Sequence, residues 1–69
     1  MQITLNGEPR ELAPGQASVP ELLRLLALAP DARGVAVAVD GEVIPRAQWE
    51  IVRLSEGARV EVLSAMQGG

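Results

Sequence analysis

The sequence VAVAVDGEVI, residues 35–44, contains a complete strand–turn–strand pattern. Three valines alternate with two alanines over Val35–Val39, and β-branched residues suit a packed, pleated surface. Asp40-Gly41 is a tight-turn pair, and Glu42–Ile44 returns as a short strand that Pro45 ends. We therefore predict a hairpin whose valine side faces the core; the small alanine side is a binding surface or a plain outer face.

A second hairpin is predicted at the start of the chain. Polar and apolar residues alternate from Gln2 to Leu5, which is the period of a strand with one buried face. Asn6-Gly7 tolerates the positive φ angles of a tight turn. The returning strand runs from about Glu8 to Leu12, and its Pro9 favours an edge position.

One long helix is predicted between the two hairpins. Ser18 and Glu21 have the spacing of a capping box, and Pro20 falls in the first turn, where its missing N–H breaks no helical bond. Apolar residues then recur at helical spacing, at Val19, Leu22, Leu23, Leu26 and Ala29. Pro30-Asp31 is expected to end this helix.

The rest of the chain completes an α+β pattern. Residues 46–51 are predicted as irregular or a short helical turn, residues 52–54 as a short strand, and Arg59 to Leu63 as the last strand. This order predicts the β-grasp, or ubiquitin-like, architecture: a mixed sheet of four to five strands with one main helix packed on one face. The domain spans residues 1–64, and residues 65–69 form a flexible tail ending in Gly-Gly.

The composition argues against a free-standing enzyme. The 69 residues include no cysteine and no histidine, so the nitrogen and sulfur ligands that zinc prefers are missing, and no metal site is expected. Ser–His and Cys–His nucleophile pairs are excluded for the same reason. The net charge is −3 and only one residue is aromatic, which argues against nucleic-acid binding. Apolar stretches are too short for a membrane span, and we expect a cytoplasmic protein.

The Gly68-Gly69 ending is the candidate functional feature. A frayed tail is the ordinary interpretation of two such glycines. Two residues without Cβ also form a thread that enters a narrow active site, where the Gly69 carboxylate can meet a reacting phosphate. A Gly-Gly ending alone is a weak motif, but joined to a β-grasp strand order within 69 residues it is a strong one.

The sequence resembles the ThiS family, the sulfur carriers of thiamine biosynthesis, over essentially its whole length. The resemblance lies in QITLNGEPREL (residues 2–12), VAVAVDGEVIPRAQW (residues 35–49) and VEVLSAMQGG (residues 60–69). Pro45-Arg46 followed by Trp49 is the most specific part. Related molybdopterin-synthase small subunits usually keep larger apolar residues and a proline before the two glycines. This chain has Ala65, Met66 and Gln67 at those positions.

The resemblance implies carrier chemistry at Gly69. A ThiF-type partner uses ATP and Mg²⁺ to adenylate the carboxylate, and the chain itself binds no cofactor. Sulfur from a cysteine desulfurase or a rhodanese-type protein then gives a thiocarboxylate, which delivers sulfur to thiazole synthase, ThiG. Gly68, Gln67 and Met66 would thread into the partner sites, so the chain is a cosubstrate and not an enzyme.

Trp49 and Arg46 have two interpretations each. Trp49 is either a partner-docking anchor or the closure of one end of the core. Arg46 pairs either with an acidic group of a partner or with a local carboxylate. Met66 is expected to fill an apolar groove that leads into the partner site.

Three alternative functions remain open from the sequence. The first alternative is a sulfur carrier for another product, such as molybdopterin, a thiolated tRNA base or cysteine. The second alternative is a ubiquitin-like modifier that forms isopeptide bonds with target lysines. The third alternative is a plain interaction domain whose terminal glycines are incidental.

Overall fold

A computed structural model of the chain describes residues 1–28 and 33–64. Within these ranges the chain forms strands β1 (Gln2–Leu5), β2 (Glu8–Glu11), β3 (Val35–Val39), β4 (Glu42–Val43) and β5 (Arg59–Ser64), helix α1 (Val19–Leu25) and a 3₁₀ turn (Arg46–Gln48). The element order matches the predicted α+β pattern.

All five strands belong to one mixed sheet in the order β2-β1-β5-β3-β4. β5, the last strand of the described residues, therefore lies in the centre of the sheet. It runs parallel to β1 and antiparallel to β3, while β2 and β4 form the edges. This topology confirms the predicted β-grasp fold.

Both predicted hairpin turns form at their expected residues. Asn6 and Gly7 have φ angles of 51° and 85°, and Asp40 and Gly41 have 53° and 86°. Positive φ at both central positions is what a two-residue hairpin of right-handed twist requires, and asparagine, aspartate and glycine adopt it at low cost. Pro9 lies in β2 at the sheet edge, where its missing N–H leaves no ladder bond unmade.

The helix begins as predicted but with only part of the capping box. The Ser18 hydroxyl accepts a hydrogen bond from the Glu21 backbone N–H at 3.4 Å, which satisfies one of the free donors of the first turn. The Glu21 carboxylate pairs with Arg24, one turn along the helix, instead of reaching back to the cap. The second half of the predicted box is therefore replaced by an ion pair.

The helix ends earlier than the apolar spacing predicts. Its last residue is Leu25, and Ala27 has a φ of 62°. The Ala27 N–H donates to the Arg24 carbonyl and the Leu28 N–H to the Leu23 carbonyl, the two bonds of a Schellman motif. This reversal packs Leu28 against the core. Residues 29–32, which include the predicted Ala29 and Pro30-Asp31 stop, lie outside the described residues.

The core fills the space between the helix and one face of the sheet. Buried residues of α1 meet the inward residues of all three central strands, at Ile3, Leu5, Val19, Leu22, Leu23, Val37, Val60 and Val62. Val35 and Val39 pack against this cluster, which confirms the valine face of β3 as the core side. Each such side chain contributes about 1.5–3 kcal/mol by leaving water.

The predicted short strand at residues 52–54 is not part of the sheet. Arg53 forms a single bridge with Ser18, and the Leu54 N–H donates to the Ala17 carbonyl at 2.9 Å. The buried Leu54 side chain draws this segment toward the loop that precedes α1, so its backbone pairs there. Across residues 1–28 and 33–64, no helix has the length and apolar character needed to cross a bilayer.

Candidate functional site

The residues predicted to carry the chemistry follow β5 closely in the sequence. Gly69, Gly68, Gln67 and Met66 lie outside the described residues, whereas the strand that leads to them is described up to Ser64. Ser64 lies opposite Val35 on β3. The segment of interest therefore starts at the end of the central strand of the sheet.

Asn6 fixes the edge of β5 that faces β1. Its backbone N–H donates to the Val60 carbonyl at 2.9 Å. Its side-chain Oδ1 accepts from the Val62 N–H at 2.8 Å, and its Nδ2 donates to the Val62 carbonyl at 3.3 Å. Both backbone groups of Val62 are thus satisfied by one carboxamide, two residues before the end of the described strand.

The sheet face opposite the helix carries an apolar patch beside the end of β5. Leu63 is 69% exposed and Val43 is 68% exposed. Leu63 lies opposite Ala36, and Val43 lies opposite Ala38. We call these four residues the outer patch. Its two alanines have short side chains. A partner can therefore approach the sheet backbone closely in the space between Leu63 and Val43.

Charged residues line the outer patch along β5. Arg59 and Glu61 alternate with the buried Val60 and Val62, so they share the outer face with Leu63. Glu61 lies opposite Ala38. An apolar patch with a polar margin is typical of protein–protein contact surfaces.

Trp49 and Arg46 form a separate unit at the β4 side of the sheet. Trp49 is 4% exposed and belongs to the core, and its Nε1 donates to the Ile44 carbonyl at 3.1 Å. The Arg46 guanidinium lies 4.7 Å from the centre of the Trp49 ring. The Ile44 N–H in turn donates to the Val37 carbonyl of β3. Trp49 thus takes the core position that was one of its two predicted roles.

The structure places the turn that carries Trp49 and Arg46 on the far side of β3 from β5. The hydrogen bond from Ile44 to Val37 fastens their turn to β3, and β3 separates that turn from β5 in the sheet order. Arg46 faces an aromatic ring, a partner that neither of its predicted pairings included. A docking role for either residue stays a prediction.

Sequence reasoning assigned the alanine side of β3 as a binding surface or a plain outer face, but it missed Asn6 and the exposed Leu63 and Val43 beside those alanines. Asn6 was assigned only to a turn, because nothing local shows that its side chain reaches a strand 56 residues away. A signal for the patch was present: Val60 and Val62 point inward, so Leu63 must point outward. The described residues contain no group of three or more His, Cys, Asp or Glu arranged to hold a metal ion.

Comparison with known proteins identifies the family. The family model named "ThiS family" matches residues 3–69. The chain belongs to the ThiS family. This ThiS-family chain is a small sulfur carrier, and such carriers interact with adenylating and thiazole-forming enzymes.

Solved structures agree with the family assignment. A crystal structure of the thiamine biosynthesis protein ThiS from Geobacter metallireducens is 36% identical, with a TM-score of 0.78 and complete coverage of both chains. An NMR solution structure of a thiamine biosynthesis protein from the same organism is 34% identical, with a TM-score of 0.77, and the match covers all of this chain and 88% of that one. None of the curated proteins matches this ThiS-family chain.

Proposed function

We propose that this chain carries sulfur as a thiocarboxylate on Gly69 and delivers it for thiazole formation in thiamine biosynthesis. The observation that carries the proposal is the family match, which runs through residue 69 and thus includes Gly68-Gly69. Support comes from β5, the central strand, which leads the chain toward these glycines. The proposal requires a free carboxylate on Gly69.

The chemistry begins with activation, because a carboxylate is a poor electrophile. A carboxylate oxygen of Gly69 attacks the α-phosphorus of ATP, pyrophosphate leaves, and an acyl adenylate forms. The terminal sulfur of a persulfide donor then attacks the acyl carbon, and AMP leaves. A second thiol of the donor attacks the donor-side sulfur, which releases the thiocarboxylate and leaves a disulfide on the donor.

The last residues of the chain suit a narrow partner site. Gly68 and Gly69 have no Cβ, so a thread of two glycines passes where a side chain would clash. Met66 is a flexible, polarisable side chain that adapts to an apolar groove, and Gln67 lies between it and the glycines. These four residues are proposed to enter the sites of the adenylating enzyme and the thiazole synthase.

The activating machinery is assigned to the partner. The chain contains no lysine and no glycine-rich phosphate loop of the G-x-x-x-x-G-K-[ST] type, so ATP and Mg²⁺ are expected to bind to a ThiF-type enzyme. The outer patch is the proposed docking surface, because Leu63 exposes apolar area two residues before the tail and Val43 extends this apolar area across β3. Docking there holds the tail at the partner's active site.

The test is mass spectrometry of the chain after incubation with a ThiF-type enzyme, ATP, Mg²⁺ and a persulfide donor. Replacement of oxygen by sulfur adds ~16 Da, nominally the same as one methionine sulfoxide. A thiol-alkylating reagent separates the two outcomes, because the chain has no cysteine. We expect one alkylated site per chain, and fragmentation should map it to Gly69.

A chain that lacks Gly69 serves as the control. It should keep its fold, because Gly69 lies beyond the last strand, and should acquire no alkylation. Adenylation without sulfur uptake would contradict the proposal and favour a protein modifier, and no modification in the presence of active partners would favour an interaction domain. Sulfur transfer to a different acceptor enzyme and none to thiazole synthase would reassign the product.

A further inference from the structure

The parallel pairing between β1 and β5 stops before β5 does. Leu5, the last residue of β1, lies opposite Val60, and the chain then reverses at Asn6-Gly7 into the first hairpin. Val62 is two residues further along β5, beyond the backbone of β1. Unpaired backbone groups at a partly buried position are costly and need another partner.

The Asn6 carboxamide supplies that partner. Its oxygen and its nitrogen bind the N–H and the carbonyl of the same residue, Val62, at 2.8 Å and 3.3 Å. This is the pattern that a neighbouring strand would present to β5, delivered here by one side chain. Together with the bond from the Asn6 N–H to the Val60 carbonyl, three hydrogen bonds join the turn to β5.

We infer that Asn6 is a positioning residue for sulfur transfer, which rests on the proposed carrier function. Its carboxamide holds β5 on the β1 side as far as Val62, while β3 holds the other side as far as Ser64. The five residues from 65 to 69 reach at most about 17 Å when extended. A fixed starting point therefore determines which docked orientations bring Gly69 to the reacting atoms.

Without the carboxamide, the end of β5 is held on one side only. Each docking event must then order additional backbone at the base of the tail, which has an entropic cost. That cost appears in the formation of the complex and not in the chemical step once the tail is in place. We therefore expect a higher KM of the adenylating enzyme for the carrier, with little change in kcat.

The alternative role of Asn6 is that of a turn residue only, since asparagine is common at positive φ. Asn6→Gly separates the two roles, because glycine adopts the same φ without strain and lacks the carboxamide. Asn6→Asp keeps an acceptor for the Val62 N–H and loses the donor to the Val62 carbonyl. Ser18→Ala removes the cap of α1 and serves as a control for general destabilisation.

The experiment combines two measurements on these variants. The first is hydrogen exchange of backbone amides by NMR in the isolated carrier; in Asn6→Gly the Val62 amide should exchange at least tenfold faster, with the β3 amides as reference. The second is the steady-state rate of thiocarboxylate formation against carrier concentration. We expect KM to rise about fivefold in Asn6→Gly with kcat within twofold, a smaller rise in Asn6→Asp, and no change in Ser18→Ala.

The results distinguish the inference from the proposed function. Equal KM values for Asn6→Gly and the wild-type chain would overturn the positioning role, as would an equal rise in Ser18→Ala. An unchanged Val62 exchange rate would overturn its structural basis. A wild-type chain that never acquires sulfur from active partners would overturn the proposed function itself, and with it any role of Asn6 in sulfur transfer.

Discussion

The Arg46 guanidinium lies over the face of the Trp49 ring, 4.7 Å from its centre. Trp49 is otherwise enclosed by the core, and its indole N–H donates to the Ile44 carbonyl. Arg46 thus covers the outer side of a ring whose inner side is buried. Together, Arg46 and Trp49 close one end of the core with the segment that follows β4.

The covering by Arg46 predicts a measurable loss when that side chain is removed. Arg46→Ala should lower the free energy of unfolding by about 0.5–1 kcal/mol, the usual contribution of a cation–π contact at an exposed site. It should also expose the indole to water and shift its fluorescence to the red. Because Trp49 is the only tryptophan, urea unfolding followed by its fluorescence measures both effects.

Two other variants of the same turn serve as comparisons for Arg46→Ala. Gln48→Ala changes an exposed neighbour and should stay within about 0.5 kcal/mol of the wild-type chain. Trp49→Phe leaves the Ile44 carbonyl without its donor and should cost about 1–3 kcal/mol, measured by circular dichroism. A larger loss for Gln48→Ala than for Arg46→Ala would show that Arg46 does not stabilise the ring.

The outer patch predicts that Leu63 contributes to partner binding. Leu63→Arg should weaken the affinity for a ThiF-type enzyme at least tenfold, because a charged group replaces exposed apolar area of the outer patch. Its effect on folding should be within about 0.5 kcal/mol, since the side chain is mostly in water. Isothermal titration calorimetry gives the dissociation constant.

Ile51 provides a matched control for Leu63. It is 73% exposed, against 69% for Leu63, but lies in the loop between the 3₁₀ turn and β5 and not on the sheet. Ile51→Arg should change the affinity less than twofold. Similar losses for both variants would point to a general effect of added charge and would refute a specific role of the outer patch.

The end of α1 predicts a stabilising substitution. Ala27 has a φ of 62°, a conformation that costs a residue with a Cβ about 1–2 kcal/mol and that glycine adopts freely. Glycine loses more chain entropy on folding than alanine does, and this cost offsets part of the gain. Ala27→Gly should therefore raise the free energy of unfolding by about 0.5–1 kcal/mol. The midpoint of urea unfolding should rise accordingly.

A second alanine tests whether this gain depends on backbone conformation. Ala36 is an exposed alanine within β3, where glycine adds only chain entropy to the unfolded state. Ala36→Gly should therefore lower the stability by about 0.5–1 kcal/mol. A loss in both variants would mean that the positive φ of Ala27 is not strained.

The proposed threading of the tail predicts a strong effect of a single methyl group. Gly68→Ala should reduce the rate of thiocarboxylate formation at least tenfold, because a Cβ at this position meets the walls of a narrow site. Its unfolding transition should match that of the wild-type chain, since the substitution lies beyond β5. Alkylation of the thiocarboxylate over time measures the rate.

Ala65→Gly is the control for the threading prediction, since it changes the tail close to β5 and far from the reacting carboxylate. It should leave the rate within about twofold. Equal rates for Gly68→Ala and the wild-type chain would contradict the proposal that the tail passes through a site too narrow for a side chain at residue 68.

The sheet was predictable because its signals are local. Asn6-Gly7 and Asp40-Gly41 specify tight turns on their own, and the alternation of Val35–Val39 shows which face is buried. These features need no knowledge of distant residues. The order of these elements along the chain then indicated a β-grasp fold, and the resemblance to the ThiS family supported it.

The end of the helix and the details of the site were not predictable in this way. Ala27 takes a glycine-like conformation because Leu28 gains burial when the chain reverses there, a tertiary gain that outweighs a local preference. Arg53 pairs with Ser18, and Asn6 pairs with Val62, across separations that spacing does not reveal. Only the assembled sheet shows these contacts.

The central place of β5 has a consequence for synthesis on the ribosome. Among the strands of the described residues, β5 is synthesised last and must enter between β1 and β3, so this sheet stays divided into two hairpins until residue 64 has emerged. An interrupted chain keeps two unpaired strand edges, which mark it for aggregation or removal. Translation thus supplies a quality check: a chain folded well enough to dock has already been synthesised to the end of β5, where the tail that is proposed to react begins.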